Sequence, residues 1–349
     1  MSREMALLRR RLASLGHGFT VRQSGTASIV VTAPKRAERG QIVPLLTPSA
    51  QLRFSDWEAN VLTPNGKTVA SQLLTQDHTA VLVSQGAGEG PGFAGAGSRP
   101  LYEAATLGAA QPRSGASRFL SRLGPEYYLF GRPGSRACAA VAAAHGSTPP
   151  IPSTHCLLAG PLDPGSSVSR ARAIGELAAQ LPAGVASSQG QVVVVPQGTL
   201  IVKAQPLHSL APEFSSPGAQ FFVMRDRVAL TGSDITHPRA STDAGGAPSV
   251  TFNFTRTGRA AFQQATRAIA HRGAHVSLGG ETLDQHFAVA LDNQLVTVPS
   301  IDFRQYPDGV PGANGADITG GLTPATARDM ATQLRYGALP LALRVTQIN

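Results

Sequence analysis

The sequence has little charge, few aromatic side chains and almost no cysteine. Charged residues make up 15% of its 349 residues and aromatic residues 5%, whereas about 25% charged residues is typical of soluble domains. The formal net charge of +9 would suit nucleic acid or an anionic surface. The excess comes from arginine, however, since Lys35, Lys67 and Lys203 are the only lysines, and no nucleic-acid-binding motif accompanies it. We attribute the charge to compositional bias and expect no nucleic-acid partner.

Long apolar runs and catalytic motifs are also missing. Apolar runs such as 139–144 and 192–195 are far shorter than the roughly 18 residues that cross a bilayer. There is no Walker loop, no Gly-x-Ser-x-Gly turn and no histidine spacing typical of a metal site. The pattern Gly90-x-Gly92-x-x-Gly95 is not followed by a clear helix start, which a dinucleotide site would require. We therefore expect no catalytic residue, no cofactor and no bound metal.

The clearest pattern lies in the C-terminal third, 249–349. Strand-like and helix-like runs alternate there in the order βαββαβ, which is typical of a ferredoxin-like unit. Thr255 or Thr257 is suited to cap the first helix and Thr323 the second, and Asp292-Asn293 is suited to the turn between the two middle strands. The predicted strands are 249–254, 285–291, 294–300 and 341–345.

The N-terminal 55 residues repeat this order without its first strand. We predict helices over 4–15 and 36–46 and strands over 19–23, 28–33 and 50–54. Arg9, Arg10 and Arg11 are expected to form the solvated side of the first helix. Because an unfilled strand position leaves backbone groups unpaired, we expect the sheet of this half to be incomplete or to borrow a strand.

The segment between these halves has a different character. Residues 84–125 contain thirteen glycines and prolines and only two acidic residues, and we interpret most of this stretch as loop. A helical pattern follows around 167–180, and 191–195 with 199–204 predict a β-hairpin across Pro196–Gly198. We interpret the whole segment, 56–216, as an insertion between the two halves of one platform.

Four stretches of this sequence resemble the SecD family. They are "FFVMRDRVALTGSDI", "SVTFNFTRTGRAAFQQATRAIAHRG", "HFAVALDNQLVTVPSID" and "GADITGGLTPATARDMATQLRYGALPLAL". They are spread over about 130 residues and occur in the family's order. In the N-terminal half, "RRRLASLGHGFTVRQ" and "IVVTAPKRAERGQ" are also similar to the family, where a membrane-spanning helix and a strand precede them.

The resemblance implies a fold and a division into domains. The fold class is α+β, with a ferredoxin-like (βαββαβ) base made of two related halves and an inserted α+β head domain. The halves of the base are 1–55 and 217–349, and the head is 56–216.

The resemblance also implies a function. SecD is a membrane subunit that assists the protein-export translocon from the far side of the membrane. The chain is thus expected on the extracytoplasmic side of the cell membrane, binding emerging unfolded preprotein and assisting its translocation with the ion-motive force. The implied partners are a SecF-like subunit, a SecYEG-type translocon and, through segments that this chain lacks, the membrane itself. A soluble ligand-binding or regulatory protein built on ferredoxin-like repeats is the alternative.

Two residue sets are candidate sites. Tyr127, Tyr128, Leu129 and Phe130 form the densest aromatic cluster; they are either the core strand of the head or, through alternate residues, a contact surface for preprotein. Cys138 and Cys156 could form a disulfide, which an exported compartment permits. Two buried free thiols are the alternative.

Overall fold

The structure is a computed structural model. It describes residues 2–25, 28–36, 42, 45–46, 50–74, 97–113, 124–144, 154–163, 168–182, 184–204, 219–277 and 283–337. The helices are α1 (Ser2–Ala13), α2 (Trp57–Asn60), α3 (Val69–Leu73), α4 (Leu101–Ala109), α5 (Arg136–Ala144), α6 (Arg170–Ala178), α7 (Arg256–Val276) and α8 (Pro324–Tyr336). The strands are β1 (Thr20–Ser24), β2 (Ser28–Thr32), β3 (Leu52–Asp56), β4 (Glu126–Gly131), β5 (Cys156–Leu162), β6 (Gly190–Val195), β7 (Thr199–Lys203), β8 (Phe221–Arg225), β9 (Leu230–Thr231), β10 (Ile235–Thr242), β11 (Pro248–Phe254), β12 (Gln285–Leu291), β13 (Gln294–Thr297), β14 (Ser300–Ile301) and β15 (Ala316–Ile318).

The chain divides into two compact units. The terminal unit combines Met1–Trp57 and Val228–Asn349 with the short segment Gln205–Pro212. The middle unit combines Glu58–Ala204 and Glu213–Arg227. The middle unit therefore overlaps most of the insertion that we predicted at 56–216.

The terminal unit brings the two ends of the chain into one sheet. Its strand order is β13–β12–β3–β9, with β14 paired to the other end of β12. Strand β3 runs antiparallel to β12, from Leu52 opposite Leu291 to Asp56 opposite Phe287. A second sheet has the order β10–β11–β15, and β1 pairs with β2 as a separate ribbon.

This arrangement does not confirm the single ferredoxin-like sheet expected for 249–349. The predicted hairpin of β12 and β13 is present, and its turn residues Asp292 and Asn293 adopt positive φ angles of 50° and 61°. Strand β11 pairs with β10 and β15 instead of joining that hairpin. The predicted strand 341–345 lies outside the described residues. In the N-terminal half, β3 pairs with strands of the C-terminal segment, not with β1 or β2.

Helix α8 is capped by Thr323 as predicted, and helix α7 is capped by Thr255, one of its two predicted candidates. The hydroxyl of Thr255 accepts a hydrogen bond from the N–H of Gly258 at 3.0 Å, and that of Thr323 accepts one from the N–H of Thr326 at 3.1 Å. Helix α7 buries one face, which includes Phe262, whose ring stacks on Phe254 with centroids 4.6 Å apart. A single apolar core thus joins both helices to the two sheets.

The segment that contains Gly309 and Val310 packs closely against α7. Gly309 has φ +81°, and a Cβ at this position would collide with the carbonyl oxygen of Gln263. The neighbouring N–H of Val310 donates to the hydroxyl of Thr266 at 2.8 Å. Only glycine allows the segment to approach the helix backbone this closely.

The burial of Arg11 corrects the expectation that all three arginines of α1 face solvent. Arg9 and Arg10 are exposed as predicted, but Arg11 is fully buried. Its guanidinium donates to the carbonyl oxygens of Leu45 at 3.3 Å and Gly337 at 2.9 Å. Burial lowers the pKa of Arg11 to about 10, and the charge of Asp292 opposes this shift. Acceptors supplied by distant segments let the cation lie in the interior, and α1 alone gives no sign of them.

The middle unit contains a three-stranded sheet of order β5–β4–β6 and the antiparallel pair β7–β8. The predicted hairpin of 191–195 with 199–204 was therefore wrong, because β6 pairs with β4 and β7 with β8.

The mostly-loop interpretation of 84–125 was wrong for Leu101–Ala109, which form α4 directly after Pro100. This helix buries Leu101, Ala104 and Ala105, and that tertiary contact compensates for its weak local signals.

Candidate functional site

Strand β4 carries the predicted aromatic cluster, and all four of its residues are buried. Tyr127, Tyr128, Leu129 and Phe130 are 4%, 0%, 1% and 1% exposed. Tyr128 and Phe130 pack into one core with α4, β6, β7 and β8, while Tyr127 and Leu129 pack into another with α5, β5 and α6. A strand covered on both faces presents no side chains to a ligand. The preprotein-contact interpretation of these residues is therefore corrected: they form the core strand of the middle unit.

Tyr128 illustrates how complete this burial is. Its hydroxyl donates a hydrogen bond of 2.7 Å to Oε2 of Glu126. Burial, with the nearby negative charge of Glu126, raises the pKa of Tyr128 well above its usual value. The phenol consequently stays neutral and serves as a hydrogen-bond donor.

The two cysteines are joined in a disulfide between α5 and β5. The Cα atoms of Cys138 and Cys156 are 5.7 Å apart, within the range that a disulfide requires. Gly131 lies opposite Cys156 in the ladder of β4 and β5. A Cβ at Gly131 would come within 2.8 and 2.9 Å of the two Sγ atoms, so the bond requires glycine at this position. The disulfide that the sequence left as one of two alternatives is the one present.

Strand β6 is a further candidate that the sequence interpretation missed. It pairs with β4 over its whole length, from Gly190 opposite Gly131 to Val195 opposite Glu126. On its other side, no strand of the described residues pairs with it. The sequence assigned this side to a hairpin with β7, and only the observed pairing shows that β6 is an edge strand.

Two acidic residues of the terminal unit have raised pKa values. Burial, and secondly the charge of Asp302, raise the pKa of Asp284. Burial also raises the pKa of Asp329.

Among the described residues, no three or more histidine, cysteine or acidic side chains are grouped so that they could hold a metal ion. Within the same residues, no helix has the length and apolar character to cross a membrane.

Comparison with known proteins identifies the C-terminal part of the chain. Residues 208–341 match the family model described as SecDF, P1 head subdomain. The protein translocase subunit SecD of Rickettsia prowazekii is 28% identical over 153 residues, which are 44% of this chain and 24% of the relative. SecD of Synechocystis is 36% identical over 121 residues, 34% of this chain and 23% of the relative. SecD of Acetobacter pasteurianus is 31% identical over 159 residues, 42% of this chain and 26% of the relative.

Solved structures of SecDF are also similar to this chain. The crystal structure of SecDF in a super-membrane-facing form has a TM-score of 0.43 at 16% identity, covering 99% of this chain and 27% of that one. A second SecDF structure, described as a membrane component that enhances protein export, has a TM-score of 0.40 at 16% identity, covering 100% of this chain and 91% of that one.

The family match falls on a different part of the chain from the segment that we called the head. The chain spans about a quarter of the length of the SecD relatives that it matches. The P1 head model falls on 208–341, whereas our sequence interpretation gave the name head to 56–216 and assigned 217–349 to the base. We therefore use "P1-head segment" for 208–341 only. Over that segment, the chain is similar to SecD, a subunit of the protein translocase.

Proposed function

We propose that this chain is the extracytoplasmic part of a SecD-like subunit of the protein-export translocase. It binds unfolded preprotein as the preprotein emerges and assists its translocation with the ion-motive force. The observation that carries the proposal is the match of 208–341 to the P1 head subdomain of SecDF, supported by relatives that are themselves protein translocase subunits. A SecF-like subunit and a SecYEG-type translocon are the proposed partners.

The disulfide supports the proposed location. Disulfides form and persist in oxidising compartments and are rare in the cytosol. The bond between Cys138 and Cys156 is thus consistent with folding outside the cytoplasm. Attachment to the membrane would be provided by segments other than the described helices.

Binding of an unfolded protein tests the proposal directly. A labelled model protein, reduced and carboxymethylated so that it cannot fold, is titrated with this chain and followed by fluorescence anisotropy. The same model protein with its disulfides intact is the matched control. We expect binding of the unfolded form alone. Equal binding of both forms, or of neither, contradicts the proposal.

A thermal-shift screen distinguishes the alternative of a soluble ligand-binding protein. A ligand that binds only the folded state raises the melting temperature, and the rise continues with the logarithm of the ligand concentration above Kd. Strong stabilisation by one small metabolite, with no binding of the unfolded model protein, would favour the alternative. We expect no such metabolite.

We further propose that the middle unit contributes the contact with preprotein. Replacing residues 58–213 by a short Gly/Ser linker should weaken binding of the carboxymethylated protein. Circular dichroism first establishes that the shortened chain is folded. Unchanged affinity in a folded variant would assign the contact to the terminal unit.

A further inference from the structure

Three edge strands in the described part of the chain, β10, β5 and β8, carry a feature that limits further strand pairing. Exposed edges are hazardous because their unpaired N–H and C=O groups accept another strand, so proteins interrupt them with bulges, prolines or covering segments. Strand β10 has a register shift between Thr236 and Arg239, with Pro238 inside it and His237 at φ 54°. Strand β5 contains Pro161, which has no N–H to donate.

The edge of β8 is covered in a different way. Isolated bridges join Phe221 to Arg99 and Met224 to Val61. Hydrogen bonds of 3.0 and 2.8 Å connect Arg99 with Phe221 in both directions. The backbone of β8 is thereby occupied on the side away from β7.

Strand β6 has none of these features. Its sequence, Gly-Gln-Val-Val-Val-Val, contains no proline and no charged side chain. Its ladder with β4 runs without a register shift. Within the described part of the chain, no bridge or backbone hydrogen bond occupies its other side.

The two faces of β6 are fixed by packing, which leaves the edge alone available. Val193 and Val195 are buried in the core that contains Tyr128. Val192 and Val194 pack from the opposite face against the core that contains Leu129. The strand is therefore held in an extended conformation, so a partner need not order it on binding.

We propose that the outer edge of β6 binds a segment of extended polypeptide by strand addition. The N–H and C=O groups of alternate β6 residues pair with the main chain of the bound segment, which lengthens the β5–β4–β6 sheet by one strand. This inference rests on the proposed function, since unfolded preprotein is the occupant that the function supplies.

The chemistry of the edge selects this occupant. A row of backbone donors and acceptors at strand spacing is matched along its length only by another extended backbone. Since residues 190–195 carry no charge, the edge neither attracts nor repels particular charged sequences. Main-chain pairing with little side-chain selection suits a partner whose sequence varies.

Backbone-modified peptides test the mode of binding. The probe is a soluble peptide of alternating valine and threonine with lysine at each end, N-methylated at alternate residues so that only one of its edges can pair. The control peptide has the same side chains but is N-methylated at successive residues, so that neither edge can pair. We expect the control to bind the full chain at least about tenfold more weakly. Equal affinities would show that side chains alone are recognised and would overturn the proposal.

Hydrogen exchange locates the bound segment on the full chain. With the carboxymethylated model protein present, amides in 190–195 should exchange more slowly, whereas those in 235–242, on the interrupted edge of β10, should not change. Protection elsewhere without protection of 190–195 overturns this inference but leaves the proposed function standing. Absence of any binding contradicts the proposed function itself. Protection of 190–195 that appears without the model protein and grows with chain concentration would show that two copies pair here, which also overturns the proposal.

Proline substitution provides matched variants. Consecutive N–H groups of a strand point to opposite neighbours, so in one of Gln191→Pro and Val192→Pro the lost donor faces β4 and in the other it faces outward. The variant that keeps the melting temperature of the parent should lose binding of the one-edge peptide by at least about tenfold. Undiminished binding in that variant overturns the proposal. If both variants unfold, the two peptides and hydrogen exchange still decide the question.

Discussion

The guanidinium of Arg272 forms two parallel hydrogen bonds to the carboxylate of Asp56. They measure 2.8 Å from Nη1 to Oδ2 and 2.6 Å from Nη2 to Oδ1, and the two side chains are only 12% and 18% exposed. Arg272 also donates from Nε to the side-chain oxygen of Gln285 at 3.0 Å. The contact therefore fastens α7 to the end of β3, although the two residues lie 216 positions apart.

Substituting Asp56→Ala should destabilise the protein by about 3 kcal/mol, because it leaves a largely buried guanidinium without its counter-charge. Equilibrium unfolding in urea measures the change. The matched control is Glu176→Ala, which removes an exposed pair with Arg172 four residues earlier and should cost less than about 0.5 kcal/mol. Equal effects of the two substitutions would contradict the structural role assigned to Asp56.

The disulfide should stabilise the middle unit by about 3 kcal/mol, as the chain-entropy model gives for a loop of this size. Cys138→Ala combined with Cys156→Ala should lower the melting temperature, and reductant should lower that of the parent but not of the double variant. Mass measurement after alkylation without reductant checks the bond itself. Labelling of both thiols in protein isolated from the exported compartment would contradict its presence there.

Arg11→Ala should destabilise the terminal unit by about 3 kcal/mol. The substitution removes the donor to the carbonyl oxygens of Leu45 and Gly337 and empties a buried volume. Arg10→Ala is the control, since Arg10 is exposed on the same helix. Denaturant unfolding of the two variants should differ clearly; similar midpoints would show that Arg11 is not held as described.

The raised pKa of Asp284 predicts that the stability of the protein depends on pH. Burial raises the pKa of its carboxyl above the value of 3.8, so the folded state binds this proton more tightly than the unfolded state. The resulting stability is fully present below pH 3.8 and is lost as the pH rises through the pKa of the folded state. Asp284→Asn has no carboxyl to ionise, so it should remove this loss. The stability of the variant relative to that of the parent should therefore be greater near neutral pH than at acidic pH. Urea unfolding at several pH values tests it, and a difference that does not change with pH would contradict the prediction.

Local chemistry was sufficient for many features of this chain. Thr323 and the pair Asp292-Asn293 were identified from residue type, and Thr255 as one of two candidate caps, because a cap or turn depends on neighbours within a few positions. A core strand was one of two interpretations of Tyr127–Phe130. What these side chains contact could not be decided from the sequence, since a core strand and a surface strand with the same aromatic residues differ only in what covers them.

By itself, the sequence determined the helices of the C-terminal third and the resemblance that the family match confirms. The tertiary structure alone decided that β11 pairs with β10 and β15 and that Arg11 is buried. It also decided that β6 pairs with β4 and, among the residues that the structure describes, with no strand on its other side. The physical reason is that capping, turns and periodicity are short-range properties written in consecutive residues. Strand pairing, edge exposure and ion burial depend instead on partners contributed by segments far away in the chain.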